Sequence, residues 1–384
     1  MQFEFATAGS IRFGAGRLPE AGPAVRAWGR RVLVVGGKNA DRSAALRRAL
    51  SEQGVEWHLY SVAAEPTVEV VEAGVALARQ AECEAVVAMG GGSVLDAGKA
   101  IAGLAPNPGH VLDYLEVVGR GQPLAQPGIP CLAVPTTAGT GAEVTRNAVL
   151  TVRDRALKAS LRSPWLLPRM ALVDPALTCD LPPEVTAATG MDALTQLIEA
   201  FVSVRANPIT DAFCREGLSR MAAGLRRVYE DGTDAAARAD VALASLLSGL
   251  ALANGGLGAV HGLAAPLGGA HAMAHGAVCA ALLPEVMAAN LAALESRAPH
   301  HAARARFDEI GRLLCCQPEA GAADGIEWVR ETRRRLRVRP LGALGFPAEA
   351  IEDVARRALS ASSMKGNPAP LTLAELTEVL ARAL

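Results

Sequence analysis

The stretch that decides the fold runs from Ala85 to Ala102, AVVAMGGGSVLDAGKAIA. It opens on an apolar run that ends at Gly90-Gly91-Gly92-Ser93, and from Val94 onward the apolar spacing is helical. A buried strand that turns through three glycines into a helix leaves bare backbone N–H groups in front of the positive end of the helix dipole, an arrangement that holds phosphate. Gly91, Gly92 and Ser93 are therefore candidate phosphate-binding residues, with Asp96 and Lys99 following on the helix. A tight strand-to-helix turn without a ligand is the plainer alternative, and three successive glycines argue against it.

Upstream and downstream of this loop, strands and helices alternate. Phe3–Phe5 and Ile11–Phe13 read as short strands, Arg31–Val35 as a buried strand ending at Gly36-Gly37, Asp41–Gln53 as a helix, Trp57–Val62 as a strand and Val68–Gln80 as a helix. Residues 105–128, rich in Pro and Gly, form an excursion before a further buried strand, Cys131–Val134, which ends in Pro135-Thr136-Thr137-Ala138-Gly139-Thr140-Gly141. Such alternation predicts a parallel sheet with helices on both faces, an α/β, Rossmann-like arrangement whose ligands sit at the C-terminal strand ends. After Asp174-Pro175 the pattern changes to helical periodicity alone. The boundary is set at Leu181, giving an α/β domain over 1–181 and an all-α domain over 182–384.

Composition narrows the function classes. A chain of 384 residues, 51% hydrophobic, is long enough for two domains with large cores. A formal net charge of −1 suggests neither a nucleic-acid partner nor a membrane surface, and no apolar run reaches spanning length. The N-terminus has no signal-peptide pattern. Seven scattered cysteines, with no CxxC, read as reduced thiols that mostly pack, which places the protein in the cytoplasm.

The helical half carries a second candidate site. Asp192 and Gln196, four apart, share one face of a helix. Farther on, VHGLAAPLGGAHAMAHG (260–276) holds His261, His271 and His275. On one straight helix His261 and His275 would lie roughly 21 Å apart. Pro266, Gly268 and Gly269 are expected to break the helix and let the imidazoles converge. Asp192, His261 and His275 then form an O/N/N set suited to a divalent ion with an open position. His58, His110, His300 and His301 are left as ordinary structural histidines.

With these segments in view, the chain resembles the iron-containing (group III) alcohol dehydrogenases, relatives of glycerol dehydrogenase and dehydroquinate synthase. The resemblance runs nearly end to end, through GGGSVLDAGKAIA (90–102), PTTAGTGAEVT (135–145), KASLRSPWLLP (158–168), ALVDPALT (171–178), GMDAL…IEA (190–200), GAVHGLAAPLGG (258–269), AHGAVCAALLP (274–284) and NPAPLT (367–372). It implies a dinucleotide-binding domain, a helical domain and a cleft between them for nicotinamide and metal. On that basis Gly91, Gly92 and Ser93 would hold the pyrophosphate and Asp96 would reach the phosphate or ribose region. Thr136, Thr137 and Thr140 would line the cofactor, and Lys158 would reach the nicotinamide ribose. A zinc or iron ion on Asp192, His261 and His275 would polarise an aldehyde or ketone carbonyl while nicotinamide delivers hydride, with His271 as proton relay. The resemblance also implies a homodimer or higher homo-oligomer.

Three departures bear on chemistry. Gln196 stands where the pattern GMDALTH has a ligand histidine, so it becomes a weak ligand or a hydrogen-bond partner, and a metal-free reductase is an alternative. Ala265 replaces a further histidine, leaving His271 as the relay beside the ligand His275. Gly37 and Lys38 stand where NAD-preferring members often have an Asp; without that carboxylate NADP is admitted as well as NAD, with NADP favoured slightly. A dehydroquinate-synthase-like lyase would need a basic cluster near 190–276, which the sequence lacks. Alanines at 264, 265, 270, 272 and 274 suit a roomy apolar site for a medium-chain alcohol or aldehyde.

Overall fold

A computed structural model of the chain describes residues 2–155, 157–271 and 273–384; the side chains of residues 269–271 lie outside the described set. Two compact units result, Ala6–Thr137 with Gly141–Thr178, and Cys179–Leu384 with Met1–Phe5 and Ala138–Thr140.

In the first unit the elements follow as β1 (Ile11–Phe13), α1 (Ala21–Arg26), β2 (Arg31–Gly36), α2 (Ala44–Glu52), β3 (Glu56–Ser61), α3 (Val68–Gln80), β4 (Ala85–Gly90), α4 (Gly92–Leu104), α5 (Val111–Tyr114), β5 (Cys131–Pro135), β6 (Asn147–Val152), β7 (Leu157–Arg162) and β8 (Met170–Val173). Six strands form one parallel sheet in the order β1-β8-β5-β4-β2-β3. Its central strands are apolar throughout because both faces are covered. Leu33, Val35, Val86 and Ala88 pack into a core with α3 and α4, whereas Val32, Val34, Val87 and Met89 pack on the opposite face with α1 and α2. Neighbouring strands β2 and β4 are thus followed by helices on opposite faces, which is the switch point where open α/β sheets bind ligands. Gly98 lets α4 lie close on β4, since a Cβ there would stand 2.4 Å from that of Ala88.

Two differences from the sequence reading are local. Phe3–Phe5 is not a strand; Phe5 instead packs its ring 5.8 Å from that of Phe213. Between β5 and β8 the chain inserts an antiparallel hairpin, β6 paired with β7, which the helix–strand alternation did not announce. Its alternating buried face, Ala148, Leu150 and Val152, completes the core over α4.

The second unit contains α6 (Pro183–Val202), α7 (Pro208–Glu230), α8 (Ala235–Gly255), α9 (Ala259–His271), α10 (His275–Arg297), α11 (Ala302–Cys315), α12 (Ala322–Arg335), α13 (Ile351–Ala358) and α14 (Leu373–Ala383). By length and composition α8 and α10 could cross a membrane, but 67% and 72% of their most apolar windows are buried here, as befits core helices. Helix α6 is buried continuously from Gly190 to Val202. The expected break at Pro266 does not occur: α9 runs through Pro266, and a new helix starts at His275. Proline costs the helix one N–H bond, which burial of Leu263, Ala264 and Leu267 on the same turns offsets.

Candidate active site

The cofactor candidates of the first unit cluster on one sheet edge. Register places Gly36 beside Met89, and Gly90 beside Pro135, so the loops after β2, β4 and β5 emerge side by side. Gly91 caps α4 in an extended conformation, and Gly92 and Ser93 form its first turn. Those first-turn N–H groups have no acceptor within the helix. Thr136 donates its N–H to Gly90 O at 2.9 Å, and a Cβ on Gly91 would lie 3.4 Å from the Thr137 side chain. Thr140 falls in the segment that groups with the helical unit. Gly37 has open space around it, and Lys38 beside it is exposed.

Other predicted cofactor residues have protein partners. Asp96 accepts from Val149 N–H at 3.0 Å and pairs with Lys99 Nζ at 3.0 Å. Lys99, fully buried, also donates to Ala142 O, Thr145 Oγ1 and Asn147 O at 2.9, 2.9 and 2.5 Å. The ammonium that follows the glycine loop is therefore consumed in tying α4 to the segment after β5 and to β6. Lys158 Nζ lies 2.5 Å from Glu65 Oε1. Near Lys99, burial pushes the Glu143 carboxyl up to about 7, its own backbone N–H and the Lys99 charge opposing the shift.

In the helical unit α6, α9 and α10 bring Asp192, His261 and His275 together. Asp192 Oδ1 is 3.4 Å from His261 Nε2 and 3.6 Å from His275 Nε2, and the two rings stand 5.3 Å apart. Gly276 makes this possible: a Cβ there would sit 2.1 Å from Ala188 O, so only glycine lets α10 start against α6. His271 closes α9, but its side chain lies outside the described residues, so its part as relay is carried by sequence alone. Of the alanines proposed to line the site, Ala264 is buried, Ala265 and Ala274 are exposed, and 270 and 272 lie outside the description.

Four participants were not read from the sequence. Glu199, buried, accepts His261 Nδ1–H at 2.5 Å and Val260 N–H at 2.7 Å. One carboxylate thus caps the start of α9 and fixes the proton of His261 on Nδ1, leaving Nε2 for the site. Asn367, in NPAPLT, accepts Ala259 N–H at 3.0 Å and completes that cap. Ser248 on α8 donates to Gln196 Oε1 at 2.7 Å, so the amide that replaces a ligand histidine has a hydrogen bond of its own. Cys279, one turn beyond His275, lies with Sγ 3.7 Å from His275 Nε2, an exception among cysteines read as mostly packing. All seven cysteines are free thiols. The signal for Glu199 was its place seven residues after Asp192, on the helix face that also carries Gln196; for Cys279 it was the i, i+4 spacing from His275.

These groups fit a divalent cation. Asp192 Oδ1 is buried and, among the described residues, has no hydrogen-bond partner. A lone buried carboxylate oxygen is costly unless something positive faces it. Burial pushes the Asp192 carboxyl up, but His275 and His261 outweigh it and hold the group below its usual range. Burial pulls His261 down, and Glu199 and Asp192 together overcome this to raise it to about 10. Burial, then the charges of Asp192 and Glu199, push the Cys279 thiol well above its usual value. His261 and Cys279 thus both face the negative charges of Asp192 and Glu199, which is the field a cation would occupy. Among the described residues Asp192, His261, His275 and Cys279 place one donor atom each within 4.8 Å of one another.

Comparison with known proteins agrees with this layout. Residues 8–175 match the family described as iron-containing alcohol dehydrogenase, and residues 186–384 its C-terminal domain. The long-chain-alcohol dehydrogenase 1 of Geobacillus thermodenitrificans is 37% identical over 336 residues, covering 86% of this chain and 82% of that protein. An NAD-dependent methanol dehydrogenase of Bacillus methanolicus is 32% identical over 375 residues, covering 94% and 96%. The crystal structure of a 1,3-propanediol oxidoreductase superposes with a TM-score of 0.93 at 31% identity, covering both chains completely.

Proposed function

The chain belongs to the iron-containing alcohol dehydrogenase family, and on that premise we propose that it transfers hydride between NADP(H) or NAD(H) and an alcohol or aldehyde at a divalent metal ion, iron or zinc, held by Asp192, His261 and His275. The observation that carries this reading is Asp192 Oδ1, buried without a hydrogen bond and facing two imidazole nitrogens at 3.4 and 3.6 Å. When bound, the ion supplies Lewis acidity at the substrate oxygen and the nicotinamide supplies or accepts the hydride.

The chain's residues position and hold. Backbone N–H groups of Gly91, Gly92 and Ser93 offer the pyrophosphate site, supported from beneath by Asp96 through Lys99 and Val149. Thr136, Thr137 and Thr140 line the dinucleotide, and Lys158 reaches its ribose by exchanging Glu65 for a sugar hydroxyl. Gly37, with no carboxylate at the end of β2 and Lys38 exposed next to it, leaves room for a 2′-phosphate, which favours NADP(H). Glu199 keeps the Nε2 lone pair of His261 aimed at the site. Gln196 keeps its hydrogen bond to Ser248 and supports α6 beside the ligands. His271 passes the substrate proton to solvent beside His275, which stands at the half-exposed start of α10. The substrate is small and neutral, with neither nucleic acid nor membrane involved, and the enzyme is a cytoplasmic homodimer or higher homo-oligomer, as the resemblance implies. The lyase alternative is not favoured, since the matched relatives bear dehydrogenase and oxidoreductase names.

The test follows absorbance of NADPH and NADH with a series of aldehydes, before and after incubation with iron(II) or zinc. Oxidation of reduced cofactor that depends on added or retained metal is expected. No oxidation with any aldehyde under any metal condition overturns the dehydrogenase reading.

A further inference from the structure

We propose that Cys279 is the fourth protein ligand of the metal site, giving a carboxylate, two-imidazole, one-thiolate donor set that selects zinc over iron. The proposal rests on the metal-binding reading above and extends it to a residue outside the Asp192, His261 and His275 set.

Helix geometry supplies the first argument. His275 and Cys279 are four residues apart on α10, so their side chains share one face. Cys279 is fully buried, and its Sγ is 3.7 Å from His275 Nε2. The neighbouring Ala280 and Ala281 are as deeply buried but lack donor atoms, so the only sulfur on this turn of α10 is the one turned to the site.

The second argument is metric. Around a tetrahedral zinc ion, bonds of about 2.0 Å to O or N and about 2.3 Å to S place O and N donors about 3.3 Å apart and S and N donors about 3.5 Å apart. The corresponding separations are 3.4 Å between Asp192 Oδ1 and His261 Nε2, 3.6 Å between Asp192 Oδ1 and His275 Nε2, and 3.7 Å between Cys279 Sγ and His275 Nε2. These three separations match edges of one coordination tetrahedron, and all four donor atoms lie within 4.8 Å of one another.

The third argument is substitution. Gln196, on α6 one turn after Asp192, already gives its amide oxygen to the Ser248 hydroxyl at 2.7 Å. Cys279 reaches the same group of donors from α10, opposite α6. A thiolate is a soft donor that suits zinc, whereas the carboxylate and imidazoles serve either metal, so exchange of an imidazole or amide for sulfur moves the preference to zinc. Zinc can expand from four to five ligands, which leaves a place for the substrate oxygen. Binding breaks the Cys279 S–H bond, forms a zinc–sulfur bond and releases one proton to the buffer, with no change of oxidation state.

The test strips the full-length protein with a chelator and returns one equivalent of cobalt(II) as a spectroscopic substitute for zinc. A near-ultraviolet thiolate-to-cobalt charge-transfer band, of the intensity of one sulfur and saturating at one cobalt per chain, is expected in the wild type and absent in Cys279→Ser. Competition with a chromophoric chelator is expected to show zinc binding weakened about 100-fold in Cys279→Ser. Stoichiometric cobalt without the band, or a folded Cys279→Ser chain that binds zinc as tightly as wild type, overturns the assignment and leaves the three-ligand reading standing. Absence of any cobalt binding overturns both. The wild-type spectrum decides by itself, so a variant that fails to fold does not weaken the test.

Discussion

Replacing Glu199 by Gln should cost metal affinity while leaving every direct ligand in place. The carboxylate accepts two hydrogen bonds, from His261 Nδ1 at 2.5 Å and from Val260 N–H at 2.7 Å. Each carboxylate oxygen serves one donor, so a Gln in the same position sets its NH2 against one of them and accepts only the other. Val260 lies in the first turn of α9 and needs an acceptor, which turns the NH2 toward His261 Nδ1. The imidazole proton then moves to Nε2, the nitrogen that faces Asp192. Binding an ion demands the reverse tautomer and sets two buried donors against each other, at a cost of about 1–3 kcal/mol. That corresponds to roughly 5- to 150-fold in affinity, in keeping with about 10–100-fold for loss of such supporting carboxylates. Glu199 also raises His261 and so favours the competing proton, but it attracts the two charges of the ion more than the one charge of the proton, and the loss survives. The assay is a chelator competition for zinc, with thermal melting as a check on folding and nitrogen NMR shifts of His261 to report its tautomer. A folded Glu199→Gln protein with wild-type zinc affinity would refute the reasoning.

Three further outcomes follow from the same geometry. Gly37→Asp fits open space, and its charge should shift the NADH-to-NADPH preference in kcat/KM about 10-fold or more toward NADH; an unchanged ratio removes Gly37 from cofactor selection. Lys99→Met leaves Asp96 and three acceptors without their buried ammonium, so urea unfolding should show a loss of about 3–5 kcal/mol, against which a loss below about 1 kcal/mol would count. Glu143, raised from an ordinary 4.5 to about 7, favours the folded state fully below pH 4.5, and that contribution, about 3 kcal/mol, is lost as pH rises through 7. Glu143→Gln should therefore flatten stability between pH 5 and 8, and an unaltered slope in urea midpoints would contradict the assignment.

What the sequence determined by itself was what local rules govern. Alternating apolar runs and glycine turns specified the parallel sheet and the loops at its C-terminal edge, because strand burial and helix starts are written in neighbouring residues. Periodicity likewise specified the helical half, and the unusual density of histidines marked its site. Tertiary structure decided what depends on residues far apart. Lys99, which in sequence follows a phosphate loop, is spent on carbonyls more than forty positions away. Pro266 did not break α9, since packing of that helix outweighed one lost hydrogen bond. The hairpin β6–β7 formed because α4 offered it an apolar face. Glu199 and Cys279 carry no motif that names their role; each acquires it only when α6, α9 and α10 converge and a carboxylate, a thiol and two imidazoles must share one buried space. Spacing along the chain can place such residues on a helix face, but only the packing of three helices brings their donor atoms within 4.8 Å of one another.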